Sequence, residues 1–265
     1  MVKKFTLALF SVIVISSVGL TKDRTDDVHL FQSFYRDATI ASNPYGEAFA
    51  NYGSYEYGSA FAMGVQGGFG VTPALELNGN LGYSSFSPEH GDGVSGLTDL
   101  TVAGRYLLHD DDGLRIAAGG LLTAPIGAEE AGYGKLNFGA FGATRYTLPN
   151  AMVITGTIGL DFYETITYTD YSFDFVNGEY SFVEPEEKTE YKNSLVLAGG
   201  LIYPQSDQLA IIGEILFKTD VDYGMLSAGV DYRLQANGHV RGAVGFGLDD
   251  GAPDLLLMLG YLMSF

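Results

Sequence analysis

From about residue 46 to residue 265 the chain alternates apolar with polar or small residues, in segments of about ten residues. A period of two indicates β-strands, because successive side chains of a strand point to opposite faces. Short turns alternate with longer or more acidic connections, among them 87–98, 125–134 and 165–189. This alternation is typical of an antiparallel barrel that spans a membrane. The predicted strands are 46–56, 58–70, 75–86, 99–108, 113–124, 135–146, 151–164, 190–203, 209–218, 223–234, 239–248 and 253–265.

The charged residues distinguish a membrane barrel from a soluble sandwich. Five of the seven arginines fall on one strand face beside short turns, and we call them the arginine cluster: Arg105, Arg115, Arg145, Arg233 and Arg241. A charge on a lipid-facing position costs about 2–4 kcal/mol at the bilayer midplane, so this face must be the lumen. A sandwich core could not bury five guanidinium groups without matched partners. With the acidic residues of the same face, the predicted pore-lining set is Glu76, Arg105, Arg115, Arg145, Asp161, Glu214, Asp231, Arg233 and Arg241.

Aromatic residues mark the opposite face. Each of the six strands that run towards a short turn carries an outward aromatic residue near that turn. Amphipathic rings prefer the boundary between headgroups and hydrocarbon, so these residues are predicted to form a membrane-interface girdle. The girdle residues are Phe69, Tyr106, Tyr146, Tyr203, Tyr232 and Phe265.

The fold class predicted from these patterns is all-β: a transmembrane antiparallel up-and-down β-barrel of about twelve strands. The sheet must close on itself, since each unpaired backbone group in hydrocarbon costs several kcal/mol. The chain end, with Gly260, Met263 and Phe265, resembles the C-terminal signal read by the bacterial barrel-insertion machinery, although Met258 stands where a polar residue is usual. That machinery and the outer-membrane lipids are therefore expected partners.

The N-terminus has the pattern of a secretory signal. Lys3 and Lys4 precede an apolar run over residues 5–18, followed by a small residue at Gly19. The run is shorter than the roughly 20 residues of a transmembrane helix, so residues 1–19 are predicted to be a cleaved signal peptide. Residues 20–45 are then a periplasmic or lumenal segment, and 46–265 form the barrel. Residues 28–40 are an alternative first strand.

Composition excludes several classes of function. The net charge of −18 argues against nucleic-acid binding, which needs a basic surface. The chain has no cysteine, and its four histidines are far apart in sequence, so no metal site and no cofactor are expected. His90 lies near Ser84, Ser85 and Ser87, but no acidic residue is placed to orient it. An enzyme is therefore not expected.

The turns and strands over residues 65–165 carry a series of sequence motifs. The stretch from Ser95 has a G-L-x-D-L pattern and a strand with a basic–aromatic pair, Arg105-Tyr106. The next strand, from Leu114, ends in an x-P-x-G pattern, and residues 68–78 have a G-[LV]-T…L-E-L turn. These motifs resemble those of the meta-pathway phenol-degradation family of bacterial outer-membrane proteins. The resemblance covers residues 65–165 and implies a barrel described as a transporter, with no catalytic residues.

Two functions remain open from the sequence. The first is a passive channel or transporter for a small solute, in which the arginine cluster at the periplasmic end either attracts anions or forms ion pairs that stiffen the barrel. Small residues on the inward face leave room for a water-filled path unless the N-terminal segment fills it. The protein is expected to be a monomer in the bacterial outer membrane.

The alternative is a plugged structural or surface-interaction barrel that uses the long acidic and aromatic loop 165–189. Asn177-Gly178 between aromatic residues predicts a projecting hairpin with a type I′ turn. Asp170 and Asp174 belong to the same extracellular loop. Such a loop suits ligand capture, or contact with lipopolysaccharide through bridging divalent cations.

Overall fold

The computed structural model describes residues 25–128, 131, 135–168, 172–176, 179–183, 187–235 and 237–265. The predicted signal peptide, 1–19, lies outside these ranges. No helix within them is long and apolar enough to cross a membrane. The strands in the described ranges are β1 (Tyr45–Tyr55), β2 (Gly58–Thr72), β3 (Leu75–Pro88), β4 (Val94–Leu97), β5 (Leu100–Asp111), β6 (Leu114–Ala124), β7 (Asn137–Thr147), β8 (Val153–Tyr168), β9 (Ser172–Val176), β10 (Glu179–Val183), β11 (Glu187–Pro204), β12 (Leu209–Lys218), β13 (Tyr223–Gln235), β14 (Gly238–Gly247) and β15 (Leu255–Ser264).

Twelve of these strands form a closed antiparallel barrel in the order β1-β2-β3-β5-β6-β7-β8-β11-β12-β13-β14-β15. The barrel closes between the first and last strands, where Tyr45 lies opposite Ser264 and Ser54 lies opposite Leu255. Every barrel strand therefore has a hydrogen-bonded neighbour on both sides, as the hydrocarbon region requires. The predicted fold class is confirmed, and the alternative first strand is wrong, because residues 28–40 form irregular bends and β1 begins at Tyr45.

The two faces of the wall differ as the alternation predicts. On β7 the inward residues Asn137, Ala143 and Arg145 are buried, whereas the outward Phe138 and Tyr146 are exposed. The other barrel strands likewise present large apolar side chains outwards, where the exterior surface contacts lipid. The charged and small residues are left to the lumen.

The connections have different lengths at the two ends of the barrel. Tight turns join β2 to β3, β5 to β6 and β13 to β14 at one end, which we call the short-turn end. At the β5–β6 turn Asp112 and Gly113 have φ values of 48° and 81°. Positive φ at two consecutive residues is the type I′ geometry that matches the twist of a hairpin.

The opposite end carries the longer connections. The chain between β3 and β5 includes β4, whose residues Val94 to Leu97 pair with the end of β3. The chain between β8 and β11 includes the antiparallel pair β9–β10, in which Val176 lies opposite Glu179. This register leaves two residues between the paired strands, at the predicted hairpin position. Asn177 and Gly178 themselves, and Asp170, lie outside the described residues, while the backbone of Asp174 belongs to β9.

Two positions of β2 test the assignment of the faces. Val65 points outwards with 61% of its surface exposed, whereas Ala62 lies on the inward face. We expect Val65→Arg to lower the free energy of unfolding by about 2–4 kcal/mol, because the guanidinium would enter hydrocarbon. Ala62→Arg should change it by less than about 1 kcal/mol, since its charge stays in the polar lumen. Urea unfolding of both variants in lipid vesicles measures the difference, and equal losses would contradict the assignment.

Candidate functional site

The described residues that precede β1 lie inside the barrel. Residues 25–44, which we call the lumenal segment, bond to side chains of strands all around the wall. Arg36 donates to Asp161 on β8, Gln32 donates to Ser227 on β13, and the backbone amide of Ala41 donates to Glu76 on β3. A single segment reaches opposite walls of a barrel only from within the lumen.

The lumenal segment enters and leaves at the short-turn end. Near its start Asp26 pairs with Arg115 beside the β5–β6 turn, and near its end Ala41 bonds to Glu76 beside the β2–β3 turn. Between these points the segment reaches the middle of the barrel, where residues 31–36 contact the central parts of β2, β8, β12 and β13. These residues form its apex.

Every member of the arginine cluster contacts a carboxylate. Three of the carboxylates come from the lumenal segment, and the others come from the barrel strands or from the β5–β6 hairpin. The contacts are Arg105 with Glu76 at 2.5 Å, Arg115 with Asp26 at 2.7 Å and with Asp110 at 3.2 Å, Arg145 with Asp37 at 2.5 Å, Arg233 with Asp27, and Arg241 with Glu47 at 2.8 Å and with Asp231 at 3.1 Å.

Arg105, Arg145 and Arg241 are also fully buried, with about 1% of their surface exposed. Each donates to a backbone carbonyl of the lumenal segment as well: Arg105 to those of Phe34 and Asp37, Arg145 to that of Thr25, and Arg241 to those of His29 and Leu30. A guanidinium group has five donors, so these carbonyls occupy donors that the carboxylates leave free. The arrangement joins the lumenal segment to the wall.

Glu214 binds the apex in a different way. Its carboxylate accepts hydrogen bonds from the consecutive backbone amides of Phe31, Gln32 and Ser33, at 2.6 to 3.2 Å. Successive backbone N–H groups that converge on one anion form a nest, and they satisfy a carboxylate without a cationic partner. The apex therefore folds around an acidic side chain of β12.

The structure places all nine sequence-predicted pore-lining residues in the lumen, and eight of them contact the lumenal segment directly. The ninth, Asp231, contacts Arg241 and hydrogen-bonds to His239 Nδ1 at 2.6 Å. Sequence reasoning missed the partners Asp26, Asp27, Arg36, Asp37 and Glu47. The signal that could have found them is the surplus of inward arginines over inward carboxylates, beside acidic residues in the N-terminal segment.

Two cavities lie beside the lumenal segment, and residues of β2 line both. The mid-barrel cavity has a volume of about 230 Å³ and is bounded by the apex and by residues of β1, β2, β3, β14 and β15, including Gln66 of β2. The short-turn cavity has a volume of about 530 Å³ and is lined by Ile40, by Gly70 and Thr72 of β2, and by residues of β5 and β6. Tyr45 and Asn78 lie opposite Gly68 of β2, which is between Gln66 and Gly70. By register, these two residues lie at a level between the two cavities.

The predicted girdle residues lie at the short-turn ends of their strands. Phe69, Tyr106, Tyr146, Tyr232 and Phe265 are exposed on the outside of the barrel, and Tyr203 is half-buried. The rings therefore form a level around the barrel beside the short turns, which is the position of an interfacial girdle.

Comparisons with known proteins identify the family. The family model described as "Putative MetA-pathway of phenol degradation" matches residues 37–265. The chain belongs to this family. The phenol-degradation family model thus covers the whole barrel and the last part of the lumenal segment, which confirms the resemblance given by the turn motifs. No curated protein matches the chain.

Several solved structures have the same fold as this chain. An outer membrane channel from Pseudomonas putida F1 has a TM-score of 0.61 at 14% identity, over 89% of this chain and all of that one. The KdgM porin has a TM-score of 0.53 at 12% identity, over 83% of this chain and 99% of that one. The same porin in complex with disordered oligogalacturonate has a TM-score of 0.54 at 11% identity, over the same shares of the two chains.

These proteins are outer-membrane channels and porins, and they share the closed barrel described above. Together with the apolar exterior and the family match, the comparisons identify the protein as a β-barrel of the bacterial outer membrane. The short-turn end is then the periplasmic end, as in barrels of this class.

Two acidic residues of the lumenal segment test its attachment. The Asp37–Arg145 pair is buried, whereas Asp26 in the Asp26–Arg115 pair is 35% exposed. Breaking a buried pair costs about 3–5 kcal/mol and breaking an exposed pair about 0.2–1 kcal/mol. We expect Asp37→Ala to speed hydrogen exchange at the amides of residues 31–33 by about two orders of magnitude, and Asp26→Ala by less than tenfold. Equal rates in the two variants would contradict a lumenal segment held through its buried pairs.

His29 makes the attachment pH-dependent. Its ring stacks against those of Phe34 and Tyr45, at 4.9 and 4.4 Å between centroids, and is fully buried. Burial, followed by the nearby Arg105, Arg241 and Arg145, holds the pKa of His29 well below its ordinary value of 6.5. The bound segment therefore excludes a proton that the released segment accepts, so the stability of attachment is full above pH 6.5 and falls as the pH drops below it.

Between pH 7.5 and 5.5 we expect the protection of the apex amides, corrected for intrinsic exchange, to fall about tenfold, because one pH unit below the free pKa corresponds to about 1.4 kcal/mol. His29→Phe keeps the stacked ring and removes the titrating group. In this variant the protection of the apex amides should change much less between the two pH values. An unchanged pH dependence in that variant would assign the effect to other groups.

Proposed function

We propose that the protein is a restricted passive channel for a small solute, in which the lumenal segment leaves a narrow route along β2 instead of an open pore. The observation that carries the proposal is the pair of cavities beside the lumenal segment that share β2 as a wall, one at mid-barrel and one at the periplasmic end. The channels and porins that share the fold support the same class of function.

The narrowest point of the proposed route lies at the level of Gly68. There the Tyr45 hydroxyl donates to Glu76 Oε1 at 2.8 Å, and Asn78 Nδ2 donates to the same oxygen at 3.1 Å. Tyr45 also packs with Phe34 and Leu262 in a buried cluster. A solute passing from one cavity to the other displaces the Tyr45 side chain and replaces its hydrogen bond.

The arginine cluster has a structural part in this proposal. Because each guanidinium contacts a carboxylate, the cluster leaves little net field in the lumen to attract anions. Its contribution is to hold the lumenal segment against the wall, and so to set the width of the route. Of the two roles open from the sequence, the contacts favour the stiffening ion pairs.

Conductance in planar bilayers tests the channel. We expect the wild-type protein to give small, discrete current steps, and Tyr45→Ala to give steps at least twofold larger, because the side chain between the cavities is removed. Tyr146→Ala is the matched control, since this tyrosine is an exposed girdle residue outside the barrel. Its steps should equal those of the wild type.

Folding is checked independently by the shift in gel mobility on boiling, which barrels of this kind show. Inserted, heat-modifiable protein that passes no current in either the wild type or Tyr45→Ala would overturn the channel. The plugged surface-interaction barrel would then be the better description. Equal increases in Tyr45→Ala and Tyr146→Ala would show that the route does not run past Tyr45.

A further inference from the structure

The mid-barrel cavity has an unusual concentration of carboxamide side chains. Four of its lining residues carry this group: Gln32 of the lumenal segment, Asn51 of β1, Gln66 of β2 and Asn80 of β3. They come from four separate parts of the chain. The barrel register places Gln66 opposite Asn80, and Asn51 lies opposite Ala62, four residues along β2 from Gln66. Each carboxamide offers both donors and acceptors.

The wall of this cavity carries no net charge. Its charged residues are Glu47 and Arg241, and Arg241 Nη1 donates to both carboxylate oxygens of Glu47, at 2.9 and 2.8 Å. Glu47 also accepts from Gln66 Nε2 at 2.7 Å. A charged solute entering this space would lose hydration without gaining a free counter-ion, which is unfavourable.

Hydrogen-bonding capacity remains available to a solute. Gln66 uses its oxygen for the Tyr35 hydroxyl at 3.0 Å and one of its amide protons for Glu47, which leaves a second proton and a second lone pair. The Asn51 side chain lines the cavity and is bonded to no other residue in the described part of the chain. These groups can donate to and accept from the hydroxyls of a solute.

Aromatic rings give the same cavity an apolar surface. Phe31, Phe34 and Tyr35 line the cavity from the lumenal segment, and Phe49 lines it from β1. The Arg241 guanidinium lies over the Phe31 ring at 4.5 Å, which fixes the position of that ring. The cavity therefore combines polar amides with apolar ring faces. Its volume of about 230 Å³ suits a small molecule.

We propose that the mid-barrel cavity is a binding site for a neutral monosaccharide-sized sugar, whose hydroxyl edge meets the carboxamides and whose C–H face lies against the rings. This assignment names the solute class of the proposed channel and in that respect rests on it. The proposed ligand is neutral, in contrast to the oligogalacturonate in the porin complex, which is an acidic sugar polymer. The neutral wall selects against the uronic acid of the same size.

Binding is measured on the full barrel folded in detergent, by saturation-transfer NMR and titration with D-galactose and D-galacturonate. These probes have the same ring and differ by one carboxylate, which isolates the effect of charge. We expect D-galactose to bind at least tenfold more tightly than D-galacturonate. Equal or tighter binding of the uronate, or no binding of either, would overturn the proposal.

Asn51→Leu is the principal variant, because this side chain has no bond within the described protein to lose. We expect it to weaken galactose binding about three- to tenfold, the range for one neutral hydrogen bond. Asn80→Leu should also weaken galactose binding, and it serves as the test variant if Asn51→Leu fails to fold. Thr101→Val, on the inward face of β5 outside the cavity, is the matched control and should bind as the wild type does.

The binding experiment and the conductance experiment fail independently. Selective galactose binding in a silent barrel would overturn the channel and keep the site. Current steps without galactose binding, or binding that is unchanged in both Asn51→Leu and Asn80→Leu, would overturn the site and keep the channel.

Discussion

Backbone hydrogen bonding in a medium without water is the constraint on which this structure depends. A sheet in hydrocarbon cannot leave an edge unpaired, so β1 must meet β15, and residues 45–54 pair with residues 255–264 to close the wall. Closure creates an inside and an outside, and every other feature follows from that division. Large apolar side chains face lipid, girdle aromatics lie at the boundary, and charges are confined to the lumen.

Because the charges are confined to the lumen, they must be paired there. Three arginines are too deeply buried for water to solvate their charges: Arg105, Arg145 and Arg241. Each therefore requires an acidic partner. The strands supply Glu76, Glu47 and Asp231, and the lumenal segment supplies Asp37, with Asp26 and Asp27 for the less buried arginines. The segment therefore completes an electrostatic network of the wall, and its backbone amides enclose Glu214.

The same network shapes the space available to a solute. Because the ion pairs fix the lumenal segment, they also set the space beside it, which includes the mid-barrel cavity and the short-turn cavity, with the level of Tyr45 between them. Because Arg241 is paired with Glu47, the charges on the mid-barrel wall balance, and four of its other polar side chains are carboxamides. The narrow route and the neutral binding site that we propose would both follow from this one arrangement of charges.

The barrel and its strands could be predicted from the sequence, because the period of two, the turn residues and the inward arginines are local patterns. In a membrane these patterns fit only a closed sheet with an apolar exterior. The observed strands begin and end within a few residues of those predicted, with β12 at Leu209–Lys218 in both. The lumenal segment has no such period, and its place inside the barrel depends on contacts such as Arg36 with Asp161, 125 residues apart. The partner of each arginine, the nest around Glu214 and the cavity shared by Asn51, Gln66 and Asn80 were decided only by the tertiary structure, because barrel closure and register bring residues that are distant in sequence close together in space.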